Sequence, residues 1–375
     1  MECADFIVVG AGIAGASVAC FLARHARVVV LERESQPGYH STGRSAALFV
    51  ETYGPEQVRA LTRASRRFFE SPPAGFADHP LLARRGTLTV GLRGQERQLE
   101  QYWLDISATA TLSRRLSLTE TCALAPIFRA DSLVGAVFQP EVCDIDVHAL
   151  HQGYLRELRH RDGALHCDCE VTRLEPDGGG WRVYSGDRVF VAPVVVNAAG
   201  AWADVLARMA GVAPIGLEPR RRSAFIFAPP DGVATASWPA VQGLLEDWYL
   251  KPESGMLLGS PANADLVEPH DVQAEELDVA SGIDRIESAT TLRINRPTRV
   301  WAGLRSFVSD GGLVGGFDPA VPGFFWVAAQ GGYGIETSAA MGESCAALAL
   351  GRPLPPHLVD SGLTAAMLSP ARLVK

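Results

Sequence analysis

The apolar positions of this chain fall into short unbroken runs and into stripes at helical spacing, and the two kinds alternate, which is the pattern of an α/β protein. Asp5 to Val9 reads as a buried strand, Ile13 to Arg24 is apolar at helical spacing, and "RVVVLE" follows as a second strand. The next stretch, "RESQPGYHSTGRSAALF", is rich in Gly, Ser and Thr, is too long for a plain connector, and leads toward a short apolar helix. Pro55 to Glu70 fits an amphipathic helix, "GTLTVGL" a strand, Leu118 to Leu124 a short helix and "LVGAVFQP" another strand. Asp146 is placed to cap a long helix, "VHALHQGYLRELRHR", after which "EVTRLEP", "WRVYS", "RVFVA" and "PVVVNAAGAW" read as strands. Strands return between about Leu206 and Arg299, with "RRSAFIFAPP", "WYLKPESGMLLGS" and a helix near Val272 to Glu287. The chain closes on "WVAAQGGYGIETSAAMGESCAALALG", an apolar strand, a Gly-rich turn and a long helix, and no internal repeat interrupts the order.

Chemistry enters with the first of these units. Gly10, Gly12 and Gly15 supply G-x-G-x-x-G between strand and helix. Such glycines allow a sharp turn, a close approach to a pyrophosphate, and tight packing of helix on strand, while the helix N-terminus offers free N–H groups. Glu32, closing the second strand, is placed to accept hydrogen bonds from the hydroxyls of an adenosine ribose. The alternative is a Gly-rich turn in an ordinary α/β unit, and the motif by itself leaves NAD and FAD open. Composition narrows the partners. The 375 residues are 47% hydrophobic, enough for a large core and two domains, and carry a net charge of −8 that favours neither nucleic acid nor an anionic membrane surface. Seven cysteines show no structural zinc spacing; Cys167 and Cys169 read as one strand with side chains about 7 Å apart, and all are taken as reduced thiols of a cytoplasmic protein. No apolar run reaches the roughly 20 residues of a spanning helix, and no cleaved signal is expected.

Four separated segments decide the cofactor. The N-terminal dinucleotide motif, "VVVNAAGAW" at 194 to 202, "GLRSFVSDGG" at 303 to 312 and "QGGYGI" at 330 to 335 resemble, in order and spacing, the D-amino acid oxidase and glycine oxidase family of FAD-dependent flavoproteins. Within it, "PGYHSTGRSAA", "RRSAFIFAPP", "YLKP", "GMLLGSPANAD" and "WVAAQGGYGI" are most similar to the D-arginine dehydrogenase branch. The resemblance implies a two-domain α/β flavoprotein, with a glutathione-reductase-like Rossmann FAD domain and a substrate domain built on a mixed β-sheet. The FAD domain is discontinuous over 1–46, 142–205 and 300–375, and the substrate domain takes 47–141 and 206–299. It also implies non-covalent FAD held by Gly10, Gly12, Ile13, Ala14, Gly15, Glu32 and Arg33, and by the loop Ser41, Thr42, Arg44, Ser45 and Ala46 at pyrophosphate and ring. Val171, at the start of a strand, is the expected adenine-side contact, and Ala199, Gly200 and Gly303 are further implied cofactor-binding residues. Gly331, Gly332, Tyr333, Gly334 and Ile335 form a turn whose N–H groups suit the charge that a reduced flavin carries.

For the substrate, the residues implied are Arg222 and Arg305, whose planar forks match a carboxylate, with Tyr53 and Tyr249 as pocket tyrosines. At least two of Arg220, Arg221 and Arg222 are expected to be merely solvated, and strand alternation favours position 222 as the one facing in. Core packing is the other reading for Tyr249. His148, His151, His160 and His166 are given no catalytic role. Two positions depart from the branch: Leu48 stands where it has a histidine, and Thr87 where it has the acid that pairs with a substrate guanidinium. A buried cation without an acid partner is costly, so a pocket shifted toward neutral or apolar side chains is expected unless Glu51 or Glu246 compensates. The expected reaction is oxidative deamination of a D-amino acid to a 2-oxo acid and ammonia, by hydride transfer from Cα to flavin N5. The electron acceptor, oxygen or a quinone, stays open. The alternatives are oxidation of glycine, sarcosine, a cyclic amino acid or a 2-hydroxy acid, an NAD-dependent enzyme, or a non-catalytic flavin-binding protein.

Overall fold

In the computed structural model, which describes residues 1–129 and 131–373, the first apolar runs form a six-stranded sheet. Its order is Ala164–His166, Val28–Leu31, Phe6–Val9, Val194–Asn197, Phe324–Ala328, Val314–Phe317, and only the last pair is antiparallel. Its central strands are buried on both faces because helices cover one side and a small sheet the other, which is why they read as unbroken apolar runs. The helices are Ile13–Leu22, Val147–His160 and Ser338–Ala349, whose contacts with the sheet make one continuous core. Asp146 caps the second through Ala149 N–H at 2.8 Å. On the opposite face lie the hairpins of Arg173–Asp177, Gly180–Ser185 and Arg188–Ala192. Residues 130, 374 and 375 fall outside the described residues.

A second, nine-stranded mixed sheet is built from the two middle stretches of the chain, including Thr87–Leu92, Leu133–Gln139, Glu218–Phe227, Ala240–Gly243, Tyr249–Glu253, Met256–Ser260 and Arg299–Phe307. Side chains alternate across it, so each strand contributes to two unlike faces. Leu88, Val90, Ala136, Phe225, Phe227, Val241, Leu250 and Leu257 point to one face and pack with Ile286 and Ala289 of the helix Glu276–Ala289. The other face carries Thr87, Thr89, Gln139, Gln242, Tyr249, Arg222 and Arg305, and it is polar. Part of this polar face is covered by the helix Glu96–Ser107, through Leu99, Tyr102, Trp103 and Ile106.

Several local expectations change. The stretch after "GRSAA" forms a strand, Leu48–Phe49, paired with Cys143–Ile145, because its backbone is needed by that small sheet. Cys167 and Cys169 flank a bend centred on Asp168, at φ 49°, rather than lying on one strand. Val171 precedes its strand, which begins at Arg173, and the helix expected from Val272 begins at Glu276. Arg221 is not solvated: it is 8% exposed and sits among Asp265, Glu275 and Asp278 on the face opposite Arg222. Among the described residues no helix is long and apolar enough to cross a membrane.

The two-faced sheet can be tested by mutation. Phe225→Ala should cost about 3–5 kcal/mol in urea unfolding. Thr89→Val, on the polar face, should cost only about 1–2 kcal/mol, the loss of its hydrogen bonds.

Candidate active site

The turn after the first strand is shaped by backbone crowding. Gly10 has φ 102°, and a Cβ there would stand 2.4 Å from Ala198 O; one on Gly15 would stand 1.9 Å from Gly10 O. Only glycine fits either place. The helix Ile13–Leu22 begins at Gly12 with no side-chain cap of its own, and Thr42 reaches across 29 residues so that its Oγ1 accepts from Ile13 N–H at 2.9 Å. Glu32 is held in the same way. Its carboxylate accepts from Ala11 N–H at 2.7 Å and Glu34 N–H at 3.0 Å, which fixes it at the end of its strand beside the turn. His151, whose pKa burial lowers, hydrogen bonds to Ala11 O at 2.8 Å and so supports this turn from behind.

These groups border one elongated cavity. Gly10, Gly12, Ile13, Ala14, Glu32, Arg33, Ser41, Thr42, Val171, Ala199, Gly200 and Gly331 all line it, whereas Gly15 is packed beneath the turn. Its Glu32 end is walled by Arg33 together with Glu34, His40 and Trp202, which the sequence did not single out. Arg33 lies over the Trp202 ring at 4.0 Å, His40 packs on Trp202 at 4.8 Å, and His40 meets Glu34 at 2.9 Å. Asn197 shapes the neighbouring wall by donating to Ala203 O and accepting from Ala199 N–H. Ser41 donates to Leu304 O at 2.6 Å, bringing the loop against the large sheet. Arg44 does the same with its guanidinium, which binds Val272 O, Ala302 O and Asp271 and is therefore not available to a pyrophosphate. Arg44 and Ser45 border a separate space behind the loop. Beside Gly303 there is room, its nearest neighbour being Arg44 Cβ at 3.6 Å from an added Cβ.

Gly331 lines the cavity, and the next residue, Gly332, lies against Arg305 on the polar face of the large sheet. Arg222 lies opposite Gly303 and Arg305 opposite Arg220, so the two guanidinium-bearing positions are diagonal neighbours on one face. Arg305 is half-buried and rests against Gly332, where a Cβ would come 2.9 Å from its Nη1. Burial pulls its pKa down, but the oxygens of Tyr53, Tyr249 and Tyr333 offset this and leave it raised. Arg222 has no such surplus. Burial, and then the like charge of Arg305, lower its pKa to about 10, and its buried Nε has no partner. Tyr53 and Tyr333 meet edge to face at 5.1 Å, and burial raises the Tyr333 hydroxyl to about 12. The structure thus brings Arg222, Arg305, Tyr53, Tyr249 and Tyr333 together beside the Gly331 to Ile335 turn, and Ala46 lies on the chain leading to Tyr53.

Leu48 and Thr87 lie further out. Thr87 is buried on the same face as Tyr249, two strands away, and Leu48 is half-buried opposite Asp144. The acids around them are committed: Asp144 is paired with Arg85 at 2.6 Å and Lys251 at 2.9 Å, and Glu51 with Arg66 at 2.6 Å. Glu246, exposed and at φ 53°, acts on Arg222 only through its field. Between Thr87 and the arginines runs an uncharged chain. Thr52 donates to Gln139, Gln139 to the Tyr102 hydroxyl, Thr89 to that same hydroxyl, and Gln242 to Thr89, at 2.7 to 3.3 Å.

Known proteins share this architecture. The chain is 23% identical to glycine oxidase of Bacillus licheniformis over 95% of its own length and 96% of that protein's. It is also 23% identical to a bovine FAD-dependent oxidoreductase domain-containing protein 1, over 93% of its length and 82% of the other's. Among solved structures, glycine oxidase from Geobacillus kaustophilus superposes with a TM-score of 0.80 at 20% identity, covering 94% of this chain and 96% of that one. The FAD dependent oxidoreductase family matches residues 5–348, and with the glycine turn, the fixed Glu32 and the cavity they line, this chain belongs to that family.

Proposed function

We propose that this protein oxidises D-amino acids with neutral or apolar side chains to 2-oxo acids and ammonia, with non-covalent FAD. One observation carries the proposal. Two half-buried guanidiniums, Arg222 and Arg305, lie side by side with no carboxylate paired to either among the described residues, and the buried Nε of Arg222 has no partner, an arrangement that an added anion would relieve. A substrate α-carboxylate is such an anion, and the forked donors suit it.

The chain's residues fit FAD. The crowded Gly10 and Gly15, the helix start at Gly12 and the pre-set Glu32 suit a pyrophosphate and a ribose, and the turn from Gly331 to Ile335 runs from the cavity wall to Arg305. When bound, FAD supplies a hydride acceptor for the substrate Cα–H, and water then hydrolyses the resulting imino acid. The protein's part is placement. Arg222 and Arg305 hold the carboxylate, Tyr53 and Tyr249 close around it, and the enclosed setting strengthens each of these contacts. The preference for neutral side chains follows from the uncharged Thr52, Thr89, Tyr102, Gln139 and Gln242 chain and from the prior engagement of Asp144 and Glu51. D-handedness is supported by the likeness of the quoted motifs to the D-arginine dehydrogenase branch.

Anaerobic mixing with a panel of amino acids, followed in the flavin absorbance, tests this reading. Apolar D-amino acids should reduce the flavin and D-Arg should do so only weakly; rapid reduction by D-Arg, or by the L-enantiomers, would overturn the specificity. Arg305→Met should lower kcat/KM by roughly 10- to 150-fold, the worth of about 1.5–3 kcal/mol of charge-assisted hydrogen bonding. Thr87→Glu, which restores an acid to the polar face, should raise the relative rate on D-Arg at least tenfold. No gain would remove Thr87 from the side-chain pocket.

A further inference from the structure

The turn that delivers Tyr53 is anchored by a residue that the sequence reading passed over. Glu336 directly follows Ile335 and is 3% exposed. Its Oε2 accepts a hydrogen bond from Val50 N–H at 2.8 Å. Val50 is the first residue of the turn, and its carbonyl is bonded by Tyr53 N–H at 3.2 Å. Glu336 therefore touches three parts of the site at once: the end of the Gly331 to Ile335 turn, the base of the Tyr53 turn, and the field of Arg305. Resting on the carboxylate clamp described above, we infer that Glu336 is a positioning residue, neutral when the site is competent, that ties down the Tyr53 turn and leaves the charge of Arg305 to the substrate.

The electrostatics follow from its surroundings. Burial lifts the carboxyl to about 8, with the Val50 N–H and Arg305 pulling the other way. The groups that face it are Arg305 from the strand Arg299–Phe307 and the Tyr333 hydroxyl from the turn. On the helix Glu56–Glu70, Arg66 is taken by Glu51 and Glu70, and Ser65 accepts from Ala340 N–H. No other cation competes for Glu336 among these. Once ionised, Glu336 becomes the internal partner of Arg305 and rivals the incoming carboxylate. The neutral fraction of a group titrating near 8 falls about tenfold between pH 7 and pH 9, and carboxylate binding should weaken by the same factor. A carboxyl whose folded pKa is raised stabilises the fold less as pH climbs through that value, so the melting temperature should fall over the same interval.

The test uses the FAD-loaded protein and benzoate, a carboxylate with no other titrating group, with binding measured by calorimetry from pH 6.5 to pH 9. The wild type should lose about tenfold in affinity between pH 7 and pH 9. Glu336→Gln, which keeps an oxygen for Val50 N–H and cannot ionise, should hold its affinity within about twofold and should lose the alkaline fall in melting temperature. Glu336→Leu should also lose the pH step but bind benzoate more weakly throughout, because the turn is untied. Parallel pH profiles in wild type and Glu336→Gln would overturn the role of Glu336 while leaving the clamp intact. Failure of benzoate to bind either protein at any pH would overturn the clamp and this inference with it.

Discussion

Two like charges set side by side on one sheet face organise this molecule. Arg222 and Arg305 sit on the polar face of the large sheet, both half-buried, and the proximity of each raises the cost of the other. Such a pair persists only where the surrounding fold supplies compensation. Part of it comes from tyrosine oxygens, which suffice for Arg305 but leave Arg222 with a depressed pKa and an unpartnered Nε. On the function proposed above, the remainder comes from the substrate carboxylate. The acids that could have filled that role are placed elsewhere: Glu51 holds Arg66, Asp144 holds Arg85 and Lys251, and Glu336 is buried deeply enough to stay neutral near pH 7.

The rest of the architecture makes this arrangement affordable. Alternation along Glu218–Phe227 sends Arg222 to the polar face and Phe225 to the apolar one, where the helix Glu276–Ala289 closes the core. The same alternation sends Arg221 outward, and there it finds Asp265, Glu275 and Asp278. Three adjacent arginines thus have different partners: Arg220 pairs with Glu218, Arg221 with three acids, and Arg222 with no carboxylate among the described residues. Meanwhile the loop of Ser41 and Arg44 binds the backbone of Leu304 and Ala302, which fixes the large sheet against the glycine turn. The site lies where the two sheets are pinned together.

Much of this was legible in the sequence, because its cues are local. Strand, glycines, helix, strand and Glu32 lie within about thirty residues, and the crowding at Gly10 and Gly15 is what the spacing implied. The failures share a cause in distant partners. Arg221 looked solvated because Asp265 and Glu275 lie 44 and 54 residues away. Arg44 looked like a cofactor ligand because Asp271 was not in view. Glu336 carried no signal of its own: an acid after a Gly-rich turn looks like a helix-start residue until Val50 is folded onto it. The helix Glu96–Ser107 is a different case, since Leu99, Tyr102, Trp103 and Ile106 have helical spacing and could have been read.

Leu48 and Thr87 show how far a residue-by-residue carry-over extends. Each stands out by contrast with a family pattern, and the two lie on different sheets. Thr87 belongs to a row of uncharged side chains spanning several strands, and Leu48 to a small sheet in which its partner Asp144 already holds two cations. An acid at position 87 would add a net negative charge to a neighbourhood that Arg85, Lys251, Asp144 and Glu253 leave balanced. That charge would be free to receive a cationic substrate. On the proposed reading, specificity is a property of the local charge balance as much as of one side chain, and a substitution at Thr87 changes that balance without breaking an existing ion pair.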